Sequence, residues 1–367
     1  MHVVFDDQIF SMHRRGGISR YFTQLLQEFS SVDELRVSTP FKYVVNEHLK
    51  EAFPDRYRMI PKPGRVPVRP VLDLLNSPGR RSAAKADIVH YTYYRASHLG
   101  AYTASRQVCT VHDMIPELFP EFFPRGNPHR DKRMFTDQCD AILCVSETTK
   151  KDLLRIYGDP DKPIAVTYLG ADRIFFDPPR TDWGFDHPYV LYVGARKGYK
   201  NFGLLAEAFS RLTTPRKLHL LCVGGGRFTT SESELFESLG ISERVVRLSP
   251  SDTELPAVYR QASVLCFPSR YEGFGLPLVE AFAVGCPVVV ADTPCLVEIS
   301  GGAADVVDPD SPDDLAQSLE KILNDPATGA SLRVQGKLRA ADFTWEATAR
   351  RTLHAYQMSI QESRSSI

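Results

Sequence analysis

Short apolar runs alternate with longer amphipathic stretches along most of the chain. The runs have the near-continuous Val, Ile and Leu content of strands that are covered on both faces of a parallel sheet. Helical periodicity fills the intervals, as in residues 201–212, 253–262 and 277–285. Two series of strands result: MHVVFDD, ELRVSTP, ADIVHYTYY, RQVCTVHD, DAILCVSE and PIAVTYLG, and then YVLYVGA, KLHLLCVGGG, RVVRLSP, SVLCFPS, PVVVAD and ADVVDP. This alternation predicts doubly wound α/β domains with parallel sheets.

The two series divide around residues 172–188, whose prolines and mixed polarity are typical of a linker. Helix-terminus signals support the assignments: Ser251 and Glu254 have the spacing of a capping box, and Ser146 is a predicted N-cap of a helix that ends at Gly158. We therefore expect two α/β domains of similar size. Their ligands should lie at the carboxyl ends of strands, with the main site in the cleft between the domains.

The composition is that of a globular protein of the reducing cytoplasm. A net charge of -1 argues against a protein that binds nucleic acid through its overall charge. The seven cysteines lack C-x-x-C pairs and lie mostly in apolar runs, which is typical of buried thiols. The first residues do not form a signal peptide, and no apolar stretch approaches the ~20 residues that span a bilayer. We expect a cytoplasmic location.

Residues 56–85 carry a local excess of positive charge, with eight Arg or Lys against one acid, Asp73. Prolines at 61, 63, 67 and 70 predict that no regular element forms there. One interpretation is a solvated loop. The other is a patch for an anionic lipid headgroup or a diphosphate, because clustered basic residues attract such surfaces.

The stretch EGFGLPLVEA, residues 272–281, places a glycine turn between a predicted strand and a predicted helix. Pro277 suits the first turn of a helix. The N–H groups of Phe274, Gly275 and Leu276 then point to the helix entrance, which suits a phosphate. Such turns also occur for packing alone.

Two glutamates bracket this turn. Glu280, about one turn into the helix, is a candidate to accept hydrogen bonds from a ribose diol. Glu272, on the loop, is a candidate to face the sugar beyond the phosphates.

Six stretches in chain order resemble the family 4 retaining glycosyltransferases, which have the GT-B fold of two Rossmann-like domains facing across a cleft. EGFGLPLVEA resembles the family's motif of two glutamates separated by seven residues. The other stretches are RRGGISRYFTQLLQEF, CTVHDMIPELFPEFF, CVSETTKKDLL, YLGAD and LYVGARKGYKNFGLLAEAF. The resemblance implies an N-terminal acceptor domain of residues 1–175 and a donor domain of residues 176–349. A last helix, from about 350 to 367, would complete the first domain.

The resemblance also implies a basic phosphate clamp in the second domain. Arg196 and Lys200 would bind the donor diphosphate and stabilise the charge that develops on the leaving group. Lys197 is an alternative to Lys200, and a solvated surface pair is the alternative function of these residues. The backbone around Arg247 and Ser249 would hydrogen-bond the nucleotide base.

In the first domain the resemblance places His112 beside the donor sugar. The histidine would hydrogen-bond the sugar or support developing positive charge through its backbone carbonyl, and the alternative is a structural histidine. Asp113 is a candidate acceptor-binding residue that either orients His112 or caps the next turn, and the sequence leaves both open.

The loop of Gly16 and Gly17 follows the first predicted strand and precedes an amphipathic helix, and its N–H groups would meet the donor phosphate or the acceptor. Arg20, one turn into that helix, reaches the same space. Tyr93 and Tyr94 are the candidate acceptor wall, because aromatic rings with hydroxyls suit sugars. Ordinary packing is the alternative for both tyrosines.

No metal site is predicted. FDD at residues 5–7 falls in the first strand and its end, and DPDSPDD at 308–314 is a predicted turn and helix cap. The family resemblance likewise implies that no metal or other cofactor is needed.

Together these features predict a retaining glycosyltransferase that moves a sugar from a nucleotide-diphosphate sugar to a hydroxyl of a glycan or lipid-linked oligosaccharide, in surface polysaccharide synthesis. The resemblance implies a front-face displacement in which the leaving phosphate oxygen takes the acceptor proton. General likeness to mannosyl- and rhamnosyltransferases favours GDP-mannose or a related donor. If residues 56–85 are a basic patch and not a solvated loop, they predict peripheral contact with an anionic membrane surface. Two alternatives remain: a nucleotide-sugar epimerase or hydrolase of the same fold, and a non-catalytic sugar-nucleotide-binding subunit.

Overall fold

The computed structural model describes residues 1–61, 68–81, 85–179, 183–213 and 217–365. The chain divides into two compact units, Met1–Leu169 with Trp345–Ile367, and Gly170–Thr344. Each unit is an α/β structure built on its own parallel sheet.

The elements of the first unit are, in chain order, β1 His2–Phe5, α1 Gln8–Met12, α2 Gly17–Phe29, β2 Arg36–Ser38, β3 Tyr43–Val44, α3 Glu47–Ala52, β4 Arg58–Met59, α4 Val68–Arg81, β5 Ala86–Tyr91, β6 Ala104–Val111, α5 Ile115–Leu118, α6 Lys132–Gln138, β7 Ala141–Cys144, α7 Glu147–Tyr157 and β8 Ile164–Val166. In the described part of the chain its main sheet has the order β2-β1-β5-β6-β7-β8, and β3 pairs with β4 in a small separate sheet. All neighbouring strands are parallel.

The elements of the second unit are α8 Arg173–Phe176, β9 Tyr189–Val193, α9 Phe202–Arg211, β10 His219–Val223, α10 Thr230–Ser238, β11 Val245–Leu248, α11 Leu255–Gln261, β12 Val264–Phe267, α12 Leu276–Val284, β13 Val288–Ala291, α13 Pro294–Ser300, β14 Asp305–Val307, α14 Pro312–Asn324 and α15 Pro326–Ala340. Its parallel sheet has the order β11-β10-β9-β12-β13-β14. Every residue of β12 and β13 is buried, which explains why these strands are continuous apolar runs. The last helix, α16 Trp345–Ser365, belongs to the first unit and packs against α2 and β7.

The predicted fold class is confirmed, and all twelve predicted strands form. The helix-terminus predictions are confirmed as well. Ser146 accepts a hydrogen bond from the Thr149 N–H at 3.0 Å at the start of α7. Ser251 and Glu254 exchange hydrogen bonds just before α11, and Ser311 caps α14. All seven cysteines are buried and free.

The prediction that prolines exclude regular structure from residues 56–85 is wrong. The segment contains β4 and the 14-residue helix α4. Pro70 lies in the first turn of α4, where a missing N–H costs nothing, and Pro78 lies near the helix end. Packing outweighs the weak propensity, because Leu72 and Asn76 are buried against the β3–β4 sheet. Lys62, Arg65 and the prolines at 63 and 67 lie outside the described residues.

Two further expectations differ from the structure in detail. The Gly16–Gly17 loop does not follow β1 directly, because the short helix α1 intervenes. The units divide at Leu169/Gly170 and Thr344/Trp345, whereas the sequence placed these boundaries near 175 and 350. A backbone hydrogen bond from Ala171 N–H to Phe343 O ties the entering and leaving chain together within the second unit.

Candidate functional site

The topological switch point of the second sheet organises the candidate donor site. The strand β9 lies between β10 and β12, so the chain moves outward in opposite directions from this strand. Ligands of doubly wound sheets bind at the carboxyl ends of the strands flanking such a point. The loops after β9 and β12 carry Lys200 and Glu272, and the Arg270 N–H donates to Tyr199 O at 2.8 Å between these loops.

The glycine turn before α12 has the geometry expected of an anion site. Gly275 is the N-cap of α12, with a left-handed φ of 106°. The positive φ favours glycine, and a Cβ at Gly275 would also lie close to two side chains, 3.2 Å from Phe267 Cε1 and 3.3 Å from Leu296 Cδ2. Pro277 lies in the first turn, as predicted. The N–H groups at the entrance of this nine-residue helix therefore suit a phosphate oxygen.

Lys200 and Glu272 form an ion pair at the switch point. Lys200 Nζ lies 2.6 Å from Glu272 Oε1 and 2.7 Å from Oε2. The side chains are 17% and 9% exposed, respectively. The structure thus brings two predicted site residues together and places them in contact with each other. Lys197, the alternative cation, is exposed on the same loop.

Glu280 is buried in the first turns of α12 and accepts a hydrogen bond from Tyr259 OH at 2.8 Å. Sequence analysis did not find Tyr259, which lies on α11, 21 residues away. Ser269 and Thr293 follow β12 and β13, and their buried hydroxyls have no hydrogen-bond partner among the described residues. Unpaired buried hydroxyls at the carboxyl edge of a sheet are available to a polar ligand.

Arg196 donates its hydrogen bonds to residues other than Lys200 and Glu272. Its Nε donates to Glu232 at 2.7 Å, and its Nη atoms donate to the carbonyl oxygens of Gly224, Gly226 and Arg227 at 2.9–3.1 Å. Its guanidinium is therefore bonded to the loop after β10.

The predicted base-binding stretch follows β11, the edge strand next to β10. Arg247 lies within β11, and its Nη1 donates to Ser249 Oγ at 2.8 Å.

In the first unit, His112 follows β6 and packs edge-on against Tyr21, with ring centroids 5.3 Å apart. Its Nε2 is buried and has no hydrogen-bond partner among the described residues. Burial lowers the pKa of His112 to about 3, so the imidazole is neutral at physiological pH. A neutral ring with an unpaired buried nitrogen is suited to hydrogen-bond a ligand hydroxyl.

Asp113 makes the contact expected of its capping role. Its Oδ1 accepts a hydrogen bond from the Ile115 N–H at 3.0 Å, so the carboxylate caps the turn that begins α5. The carbonyl of Asp113 accepts from Lys132 Nζ at 2.7 Å.

Lys132 is fully buried and also donates to Glu117 at 2.9 Å. Sequence analysis missed this pair, because a lysine in a polar stretch gives no signal of burial. Burial raises the pKa of Glu117, but Lys132 together with Tyr157 and Asn127 outweighs this and lowers it below its ordinary value. The Lys132–Glu117 pair therefore holds the backbone of the loop that contains His112 and Asp113.

The remaining predicted residues of the first unit are placed as follows. Gly16 is the N-cap of α2, Gly17 is its first residue, and Arg20 lies half-buried one turn in. Tyr93 and Tyr94 are buried rather than exposed. Tyr94 OH donates to Thr110 O at 2.6 Å and accepts from the His112 N–H at 3.4 Å, so this tyrosine supports the His112 loop from within the core.

Asp6 and Asp7 are both buried and bonded within the first unit. Asp6 accepts from the Thr92 N–H at 3.0 Å, and Asp7 forms a two-point ion pair with Arg80 of α4 at 2.7 and 3.0 Å. In the described residues no group of three or more His, Cys, Asp or Glu is placed to hold one metal ion. Nor is any described helix both long and apolar enough to cross a bilayer.

Comparison with solved structures identifies the fold. Anabaena Alr3699/HepE, in complex with UDP and glucose, is similar over 100% of both chains, with a TM-score of 0.73 and 16% identity. WaaG, a glycosyltransferase involved in lipopolysaccharide biosynthesis, is similar over 95% of this chain and 98% of its own, with a TM-score of 0.71 and 16% identity. The protein therefore has the GT-B fold of glycosyltransferases.

Sequence comparison defines the family. The model of Glycosyltransferase Family 4 matches residues 15–173, and the model of Glycosyl transferases group 1 matches residues 176–339. O-antigen chain mannosyltransferase B of Escherichia coli is 25% identical over 370 residues, which cover 93% of this chain and 96% of the relative. The chain belongs to the family 4 type of glycosyltransferases.

Proposed function

We propose that the protein is a retaining mannosyltransferase that uses GDP-mannose and elongates a lipid-linked glycan in surface polysaccharide synthesis. The observation that carries this proposal is the Lys200–Glu272 pair at the switch point of the second sheet. The pair lies beside the start of α12, whose N-cap Gly275 has a left-handed backbone conformation. The mannosyl group and the polysaccharide product rest on the similarity to O-antigen chain mannosyltransferase B. GDP rests on the general likeness of the motifs to those of mannosyltransferases.

The donor is proposed to bind the second unit through its diphosphate. The oxygens would take the N–H groups at the entrance of α12 and the ammonium of Lys200. Glu272 would then exchange Lys200 for hydroxyls of the donor sugar. Glu280 and the unpaired hydroxyl of Ser269 supply further acceptors and donors for the ribose and phosphates.

In the proposed reaction the bond between the sugar C1 and the leaving phosphate oxygen breaks, and the acceptor oxygen attaches to C1 on the same face. The acceptor proton passes to the leaving phosphate oxygen, so no side-chain base is needed. Lys200 and the α12 entrance stabilise the charge on the leaving diphosphate, which is why we propose that no metal is required. Neutral His112 of the first unit is assigned to the donor sugar, with its loop braced by Lys132.

A transfer assay tests this proposal. The purified protein, with a lipid-linked mannosyl acceptor, is incubated with GDP-mannose, UDP-glucose, UDP-galactose and dTDP-rhamnose, with and without a chelator. We expect transfer from GDP-mannose alone, an α-anomeric product by NMR, and no effect of the chelator. Inversion at C1, loss of activity with the chelator, or donor hydrolysis without transfer would each contradict a part of it. Lys200→Met should abolish transfer, and Lys151→Met, at an exposed lysine of α7, is the control.

We also propose that the protein binds the anionic face of a membrane through α4. Asn76 and Arg80 hold one side of this helix against Tyr43 and Asp7 within the first unit. The other side exposes Val71, Leu74 and Leu75 at helical spacing. Exposed Arg and Lys in the same segment supply the positive charge that anionic headgroups attract, at positions 56, 58, 69 and 85.

Vesicle co-sedimentation tests the membrane proposal. Leu74→Glu should weaken binding to vesicles that contain phosphatidylglycerol. Leu338→Glu on α15 is the matched control, because both leucines are 73% exposed. Binding that ignores lipid charge and salt, or equal effects of the two substitutions, would overturn it.

A further inference from the structure

Arg196 occupies the interior of the loop after β10. Its side chain is only 3% exposed. The guanidinium makes the four hydrogen bonds described above and lies 4.7 Å from the ring centroid of Phe228. Three nitrogens of a guanidinium carry five N–H donors in a fixed plane, and the loop together with Glu232 of α10 uses donors from all three.

The loop is shaped around this guanidinium. Gly224, Gly225 and Gly226 have φ values of 88°, 70° and 74°, which are left-handed in all three. A Cβ at Gly225 would lie 2.5 Å from Arg196 Nη1, so the guanidinium occupies the space that a side chain at residue 225 would need. Three consecutive glycines lose much conformational entropy on ordering, and the hydrogen bonds from Arg196 offset part of that cost.

Glu232 connects this brace to the next helix. One carboxylate oxygen accepts from Arg196, and the other accepts from the Thr229 N–H at 2.7 Å in the capping box of α10. Burial raises the pKa of Glu232, but the hydrogen bonds from Arg196 and Thr229 outweigh this and lower it. If Arg196 turned towards a diphosphate, Glu232 Oε1 and three carbonyl oxygens would lose the donor that Arg196 supplies.

We propose that Arg196 is a positioning residue: it holds the Gly224–Arg227 turn at the carboxyl edge of the second sheet, and Lys200 rather than Arg196 contacts the donor diphosphate. The turn follows β10, the neighbour of β9, and so lies beside the loop that carries Lys200. The proposal rests on the proposed donor site, and it gives Arg196 a different role from the diphosphate contact that the family resemblance implied.

The first test needs no ligand. Hydrogen–deuterium exchange is measured on ligand-free wild type, Arg196→Gln, Glu232→Gln and Lys200→Gln. We expect the first two variants to speed exchange in peptides covering residues 224–232 by about tenfold or more, and Lys200→Gln to leave these peptides unchanged. Unchanged exchange in Arg196→Gln and Glu232→Gln would overturn the positioning role.

The second test measures binding of GDP and GMP by calorimetry. Arg196→Gln and Glu232→Gln should weaken GDP binding similarly, by about 10- to 100-fold, and the double variant should bind no more weakly than the weaker single variant. Arg196→Lys keeps the charge but lacks the planar fork, so it should not restore affinity. The variant Arg196→Lys also provides the binding test if Arg196→Gln does not fold.

Direct contact with the diphosphate predicts the opposite pattern. Arg196→Lys would then retain most of the GDP affinity, Glu232→Gln would bind as tightly as wild type or more tightly, and the preference for GDP over GMP would fall in Arg196→Gln. That pattern overturns the proposal. If folded wild type binds neither GDP nor UDP, the proposed donor is wrong, and the exchange experiment still decides what Arg196 holds.

Discussion

Separating Lys200 from Glu272 should reveal whether their ion pair is exchanged when the donor binds. Lys200→Met removes the cation and leaves a carboxylate that is 9% exposed. At an effective dielectric of about 20, unit charges at the 2.6–2.7 Å separation of this pair attract by roughly 6 kcal/mol. Much of this offsets desolvation, and removing one partner of a buried pair typically costs 3–5 kcal/mol. Because Lys200 retains some exposure, we expect a loss of about 3 kcal/mol in the free energy of unfolding.

Glu272→Gln should cost less stability, about 2 kcal/mol, because the amide still accepts a hydrogen bond from Lys200. The double variant should lose less than the sum of the two single variants by about 2 kcal/mol, which urea unfolding measures as a coupling energy. In binding, the two substitutions should diverge. Lys200→Met should weaken GDP binding about 10- to 100-fold, whereas Glu272→Gln should strengthen it, since Lys200 no longer has to leave a carboxylate.

Transfer should fall in both variants, because Glu272 is assigned to the donor sugar. Lys151→Met controls for loss of a lysine as such. If Glu272→Gln weakens GDP binding as much as Lys200→Met does, and the stability losses simply add, the pair is not exchanged by the donor and the proposed diphosphate contact fails.

Three further perturbations follow from particular contacts. Gly275→Ala should cost roughly 1–3 kcal/mol through left-handed strain and weaken GDP binding; a calorimetric affinity equal to wild type would contradict an anion site at α12. Arg80→Ala strands buried Asp7 and should cost about 3–5 kcal/mol by urea unfolding, whereas Arg350→Ala, in an exposed pair, should change stability by less than about 0.5 kcal/mol. Burial lowers the pKa of His90 to about 3. The contribution of His90 to the free energy of unfolding is therefore complete above the unfolded pKa near 6.5 and is lost as pH falls towards 3. From pH 7.5 to 5 we expect a loss of about 2 kcal/mol, and a flatter profile in His90→Asn; equal slopes would contradict this.

Much of the fold could be predicted because it depends on local patterns. Buried parallel strands are continuous apolar runs, and helix caps such as Ser146 are encoded within four residues. The helix α4 could not be predicted, because it is stabilised by tertiary contacts. Asn76 bonds to Tyr43 and Arg80 bonds to Asp7, which are 33 and 73 residues away. Such contacts leave no trace in spacing.

The candidate site follows the same division. The turn at Gly275 was predictable, since a glycine before Pro277 in a strand–turn–helix pattern has a local cause. The partners of Glu280 and Arg196 were not, because Tyr259 lies on α11 and Glu232 on α10. Residue type and position along the chain therefore indicated which charged residues lie near the site. Tertiary contacts between distant parts of the chain determine the hydrogen-bond partners of each charged group.

The exposure of three cations, one in the first unit and two in the second, distinguishes cations that brace the backbone from a cation that can contact a ligand. Lys132 is fully buried, Arg196 is 3% exposed, and Lys200 is 17% exposed. A fully buried cation with a carboxylate and carbonyl partners cannot be released without stranding them, so it braces the backbone. A single carboxylate holds Lys200 near the surface of its loop, and a diphosphate can replace that carboxylate with more charge. The opposite responses expected of Glu232→Gln and Glu272→Gln in GDP affinity follow directly from this difference, since one glutamate holds a brace and the other competes with the donor.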